Sequence, residues 1–171
     1  MTIRTKGTTT MFRPLVFATL TALAAISTLA VAADPAPVVT YSKKAKFEDV
    51  RDDLKTAIES KGLVIDYQSF VNKMIERTGK DVGSSRKLYD DAQAFVFCSA
   101  ALSRKTMEAD AANVSMCPYA ITVYATTQAP DRIHVAYRRP WRPDGSAASK
   151  AALKEVEALL DGIARTSLGM K

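Results

Sequence analysis

Two cysteines, one histidine and a run of arginines around the only tryptophan are the side chains in this 171-residue chain whose type and spacing can do chemistry. Cys98 ends one apolar run and Cys117 opens another, with eighteen residues between them, enough to bring the chain back through a helix. An even number of cysteines is usually paired in an oxidising compartment. The expectation is therefore a structural Cys98–Cys117 disulfide, which would contribute about 3 kcal/mol by restricting the unfolded chain. The alternative is a thiol-redox or copper-handling site that adds Met116 and His134 to the cysteines, because soft sulfur ligands suit Cu(I). No Cys-x-x-Cys, His-x-His or Met-x-x-Met spacing supports it, so no metal and no cofactor are expected.

Tyr137-Arg138-Arg139-Pro140-Trp141-Arg142-Pro143 interleaves three guanidiniums with two aromatic rings and two prolines. Arginine holds carboxylates and phosphates and stacks on rings. Arg138, Arg139, Trp141 and Arg142 thus form the candidate binding edge for a small anionic ligand or a protein partner. The competing reading has Trp141 anchoring the crossing from strand to helix while the arginines stay solvated. His134 alternates with Ile133 and Val135, so it faces away from them. No Gly-x-Ser-x-Gly elbow or catalytic-cysteine signature accompanies it, and the catalytic set is read as none. Thr78-Gly79-Lys80 lacks the earlier glycine of a phosphate-binding loop, and Asp81 replaces the hydroxyl that would hold magnesium. Asn113-Val114-Ser115 fits a glycosylation sequon.

The elements that must position these residues follow from periodicity. Phe47, Val50, Leu54, Ala57 and Ile58 recur at three- and four-residue steps, which predicts a helix over 47–61 stopped by Gly62. Leu153, Val156, Leu160 and Ile163 mark a second helix between a Ser146 or Ser149 cap and Gly169. Shorter helices are predicted over 72–78 and, capped by Ser103, over 103–112. Strands are predicted at 38–41, 63–71, 94–98, 120–125 and 132–137, with the doubly apolar Ala94–Cys98 run as the central strand and a long turn through Pro130-Asp131. Residues 80–91 are polar and read mostly as loop. The fold class is α+β: one mostly antiparallel sheet of about five strands covered by helices, in the order β-α-β-α-β-α-β-β-α.

Leu15–Ala32 is uncharged, follows basic residues and ends in small side chains, the grammar of a cleavable signal peptide. The expected division is a signal peptide over 1–32, a proline-containing leader over 33–37 and one domain over 38–171. Cleavage after Ala33 is the neighbouring option, and Met11 begins a tighter signal than Met1. The working protein is then periplasmic or secreted, with no membrane association after cleavage. The formal charge of +6 falls because Arg4, Lys6 and Arg13 leave with the signal, so the 24 bases become 21 against 18 acids. So small an excess attracts polyanions weakly, and no nucleic-acid binding is expected.

From Phe97 onward the sequence FCSAALSRKTMEADAANVSMCPYAITVYATTQAPDRIHVAYRRP resembles the bacterial and archaeal family called domain of unknown function 302. The resemblance rests on Phe97, Met107, Asn113, Pro118, Val123-Tyr124 and Tyr137, and takes in the Phe47 helix with Gly62. Relatives often continue after the phenylalanine with Gly-Asn-Pro, where this chain has Cys98-Ser99-Ala100, and often place Leu where Cys117 stands. The resemblance implies a compact α+β domain, often a homodimer, and brings no agreed activity, cofactor or catalytic residue. The resulting expectation is an exported, non-catalytic binding or interaction domain.

Overall fold

The computed structural model describes residues 35–171, together with Thr2 and Gly7. The expected signal peptide, its cleavage site and the choice of start lie outside the described residues. Asp34–Lys171 is one unit. Its elements run β1 (Val38–Lys44), α1 (Phe47–Glu59), β2 (Ile65–Phe70), α2 (Val71–Thr78), β3 (Tyr89–Phe97), α3 (Ala100–Ala109), a 3-10 helix (Ala111–Met116), β4 (Tyr119–Thr126), β5 (Ala129–Arg138) and α4 (Ala147–Ser167). The predicted order and the α+β class hold. Among the described residues no helix is long and apolar enough to cross a membrane.

The strands lie in the order β1-β5-β4-β3-β2, and every neighbouring pair is antiparallel. The central strand is therefore β4, a correction to the expectation for Ala94–Cys98. That run belongs to β3, which has partners on both sides and so tolerates apolar residues on both faces just as a central strand does. Strand alternation puts Phe95, Phe97, Ile121, Val123, Ile133 and Val135 in the core. Val50, Leu54 and Ile58 of α1 and Val156, Leu160 and Ile163 of α4 complete it. Burying each such side chain contributes about 1.5–3 kcal/mol before chain entropy is subtracted. The rims are β1, bearing Lys43 and Lys44, and the six-residue β2, whose register shifts between Ile65 and Tyr67.

Boundaries moved where side-chain hydrogen bonds decide them. The cap of α3 is Ser99, whose Oγ accepts from Leu102 N, so the helix starts earlier than a Ser103 cap would allow. Ser146 caps α4 by accepting from Ser149 N at 3.1 Å, which leaves Ser149 buried for another purpose. The β4–β5 turn lies at Thr127 and Gln128, and Pro130 sits inside β5, beside a register shift at Tyr124/Thr126. Gly62, at φ +71°, supplies the left-handed turn after α1. Gly79 has an ordinary helical φ. It is needed because an added Cβ would come within 2.3 Å of the Ser84 carbonyl oxygen.

Candidate functional site

The end of β5 turns at Arg139-Pro140-Trp141 and lays that segment beside the outer face of α4. Between them runs a cleft of about 560 Å³ that begins at Pro35. Lys150, Ala151, Lys154, Glu157, Ala158 and Asp161 line the helix side, at the one-, three- and four-residue steps that share one helix face. The two alanines make room. Lys150 Nζ lies 5.7 Å from the centroid of the Trp141 ring, a cation–π contact. Trp141 Nε1 is buried and has no hydrogen-bond partner among the described residues. Neither Lys150 nor Lys154 is paired with a carboxylate among the described residues.

The cleft's acids are already engaged. Glu157 pairs with Arg139. Asp161 accepts from Tyr41 Oη at 2.5 Å and Tyr137 Oη at 3.1 Å through Oδ1, and from Arg165 Nε at 2.9 Å through Oδ2. Burial alone would raise the Asp161 carboxyl, but the hydrogen bonds from Tyr41, Arg165 and Tyr137 outweigh it and hold the group below its ordinary value. Tyr41 is pushed up, first by its hydrogen bond to Asp161 and then by burial. Tyr137 is also pushed up, with burial leading and the Asp161 charge next. The guanidinium of Arg165 lies 4.7 Å from the Tyr41 ring centroid. This Tyr41–Tyr137–Asp161–Arg165 cluster stitches β1 and β5 to α4, and sequence reading missed it. Its members are 120 and 24 positions apart, so no local pattern signals it.

The expected Arg138–Arg142 edge is only partly assembled. Arg139 is tied to Glu157, and its Nε donates to the Ala36 carbonyl at 2.9 Å. Arg142 is held by Asp110 at 2.8 Å and Asp144 at 2.9 Å and also reaches Asn113 Oδ1 at 3.3 Å. Both guanidiniums are therefore largely neutralised by the protein's own acids and act as structural ties. Trp141 does line the cleft. Arg138 is exposed and lines a separate hollow of about 410 Å³ with Met116, Pro118 and Ala120.

Asn113, the sequon asparagine, is fully buried. Its Nδ2 donates to the Thr106 carbonyl at 2.8 Å and to Ser149 Oγ at 2.9 Å, so no glycan can be attached in the folded chain. His134 faces away from buried Ile133 and Val135, as alternation required, and stacks on Tyr124 with centroids 4.8 Å apart. Burial, then the charge of Arg132, lowers its pKa.

The expected Cys98–Cys117 disulfide is not formed. Both cysteines are free, half-buried thiols. Phe97 pairs with Tyr119 at the end of the β3–β4 ladder, which puts Cys98 across from Pro118 and one residue from Cys117, with the two thiols not at covalent distance. Burial, followed by the hydrogen bond and charge of Cys117, pushes the Cys98 thiol up to about 12. Ser103 Oγ donates to Cys117 Sγ at 3.5 Å and is itself 3.1 Å from Tyr119 Oη. The four-residue alternative is not assembled, because His134 is paired with Tyr124 far along β4 from Cys117. Among the described residues no group of three or more His, Cys, Asp or Glu side chains is placed to hold a metal.

An antiparallel five-stranded sheet with α1 and α4 packed on its core face and a groove along α4 defines the class of domain. A model of the family described as "Domain of unknown function DUF302" matches residues 38–166, and the chain belongs to that family. Among solved structures it is similar to the uncharacterized conserved DUF302 protein from Bacillus stearothermophilus, with a TM-score of 0.63 and 12% identity over 77% of this chain and 98% of that one. That likeness concerns the fold alone. No curated protein matches the chain.

Proposed function

We propose that this protein is an exported, non-catalytic binding domain whose Trp141 cleft takes a small ligand bearing a carboxylate or phosphate. The observation that carries the reading is a groove in which Trp141 meets two lysines that lack carboxylate partners among the described residues. A ligand's charge would lie between Lys150 and Lys154, and an apolar portion would rest on Trp141, Ala151 and Ala158. Such a site matches the usual composition of small-molecule clefts, mostly apolar with a few convergent polar groups. Tyr41, Arg165 and Tyr137 hold the Asp161 carboxyl below its ordinary value, and Glu157 is taken up by its ion pair with Arg139, an arrangement that supports binding over catalysis. Export is supported by the uncharged Leu15–Ala32 stretch behind basic residues.

Trp141 is the only tryptophan, so its fluorescence reports on the cleft directly. Titration with benzoate, citrate and inorganic phosphate should give a saturable change for at least one of them. A Lys150→Met/Lys154→Met variant should lose it while unfolding at an unchanged urea midpoint. No saturable change with any probe, or an identical one in the variant, refutes the cleft. N-terminal sequencing of protein from the periplasmic fraction should read from Ala33 or Asp34; a chain beginning at Met1 or Met11 refutes export.

A further inference from the structure

We propose that the proline leader is a built-in occupant of the Trp141 cleft: the carboxylate of Asp34 lies between Lys150 and Lys154, and an anionic ligand binds by displacing it. The inference rests on the cleft reading above and adds its regulation. Asp34 lies just outside the described residues, immediately before Pro35, and belongs to the same unit as the cleft. Cleavage after Ala32 or after Ala33 leaves it on the exported chain.

Three observations bring the leader to the groove. Pro35 is itself part of the cleft wall, with Trp141 and the lysine face of α4. One residue fastens the leader along that wall, because Arg139 donates from Nε to the Ala36 carbonyl and from its backbone N–H to the Pro37 carbonyl, both at 2.9 Å. Burial also increases toward Asp34: Pro37 and Ala36 are exposed, whereas Pro35 is half-buried. The chain therefore turns into the cleft as it runs back from β1. Consecutive Cα atoms are about 3.8 Å apart, so Asp34 starts at the wall, and the proline after it biases its backbone to an extended shape. Pro35 and Pro37 stiffen the segment, so little entropy is lost in holding it there.

Charge selects the carboxylate. Asp34 is the first acid in the chain, and the next is Glu48 in α1. In the cleft Glu157 is taken by Arg139, and Asp161 by Arg165, Tyr41 and Tyr137. Lys150 and Lys154 are left as the two cations without a carboxylate among the described residues. A carboxylate tethered this closely faces them at an effective concentration on the order of millimolar, so a free anion must compete with it for the same place. Exposed ion pairs are weak, which keeps the gate light. The leader lowers the apparent affinity by the fraction of time it fills the site, about two- to fivefold, and yields to a ligand that also rests on Trp141, Ala151 and Ala158.

The test uses the protein as isolated from cells, in a buffer free of carboxylate and phosphate. A carbodiimide joins a carboxylate and a lysine in salt-bridge contact as an amide. It should link Asp34 to Lys150 or Lys154 within one chain, as mapped by mass spectrometry of the peptides. Asp34→Asn keeps the side chain's size and removes its charge. It should lose the link and bind whichever of benzoate, citrate or phosphate the parent binds about two- to fivefold more tightly, read by Trp141 fluorescence. Absence of an Asp34 link to either lysine overturns the seating, and unchanged or weaker affinity in Asp34→Asn overturns the gate. If no probe binds parent or variant, the small-ligand reading fails while a mapped link still seats the leader. If probes bind and no link forms, the cleft stands and the leader is not its occupant.

Discussion

Replacing Asn113 with alanine tests how the 3-10 helix is fastened to α4. Asn113 and Ser149 are both fully buried and bonded reciprocally: Nδ2 donates to Ser149 Oγ at 2.9 Å, and Ser149 Oγ can donate to Oδ1 at 3.1 Å. Removing the amide leaves the Ser149 hydroxyl without a partner, which costs about 1–3 kcal/mol. The Thr106 carbonyl loses one of two donors, since Asp110 N still reaches it at 3.1 Å, and Arg142 keeps Asp110 and Asp144. These groups therefore add only about 1 kcal/mol. The expected loss is about 2–4 kcal/mol, read as a lower urea midpoint at unchanged m-value. The sharper measurement is a double-mutant cycle with Ser149→Ala, which removes the stranded hydroxyl. Its coupling should be about 1–2 kcal/mol, so the double variant is less destabilised than the sum of the singles. Additive losses, or a single-variant loss below about 0.5 kcal/mol, would refute the reciprocal bond.

Asp161→Asn should flatten the acid limb of the stability profile. The folded pKa of Asp161 lies below the ordinary 3.8, so its contribution is complete above the unfolded value and is lost as pH falls from there through the folded value. Urea midpoints between pH 2 and 6 should converge for variant and parent at the acid end and diverge above pH 4. Gly79→Ala should destabilise by more than 1 kcal/mol, roughly, because the new methyl meets the Ser84 carbonyl. By contrast, Gly162→Ala, inside α4 with nothing near the added Cβ, should stabilise by about 0.4–1 kcal/mol; thermal melts of the pair check both. Arg139→Ala, which strands Glu157 and frees the Ala36 carbonyl, should lower stability by about 1–3 kcal/mol in the same assay.

Helices and strands were legible wherever apolar spacing repeats, as at Val50, Leu54 and Ile58 or along α4, because period alone tells which face is buried. Local chemistry was less decisive. Ser99 and Ser103 are equally good capping residues by type, and only the bond to Leu102 N shows which one caps; the other was released to meet Cys117 and Tyr119. The arginine run was legible as a chemical feature but not as a charge balance, since Glu157, Asp110 and Asp144 reach it through tertiary packing. Trp141 was found and its groove was not, because Lys150 and Lys154 belong to a helix whose outward face reads as ordinary solvated surface. The cysteines were placed at neighbouring strand ends, while the state of their sulfurs depends on a separation no spacing rule fixes.

The two rims of the sheet bear on how the molecule behaves in a crowd. An outermost strand offers unpaired amides and carbonyls to any extended chain that drifts past. Here one rim carries adjacent lysines, and the other is short and interrupted by a register shift with Asp66 at the break. A passing strand would meet like charge or a misaligned ladder, so concentrated protein should stay dispersed as discrete particles and not anneal side to side into fibres.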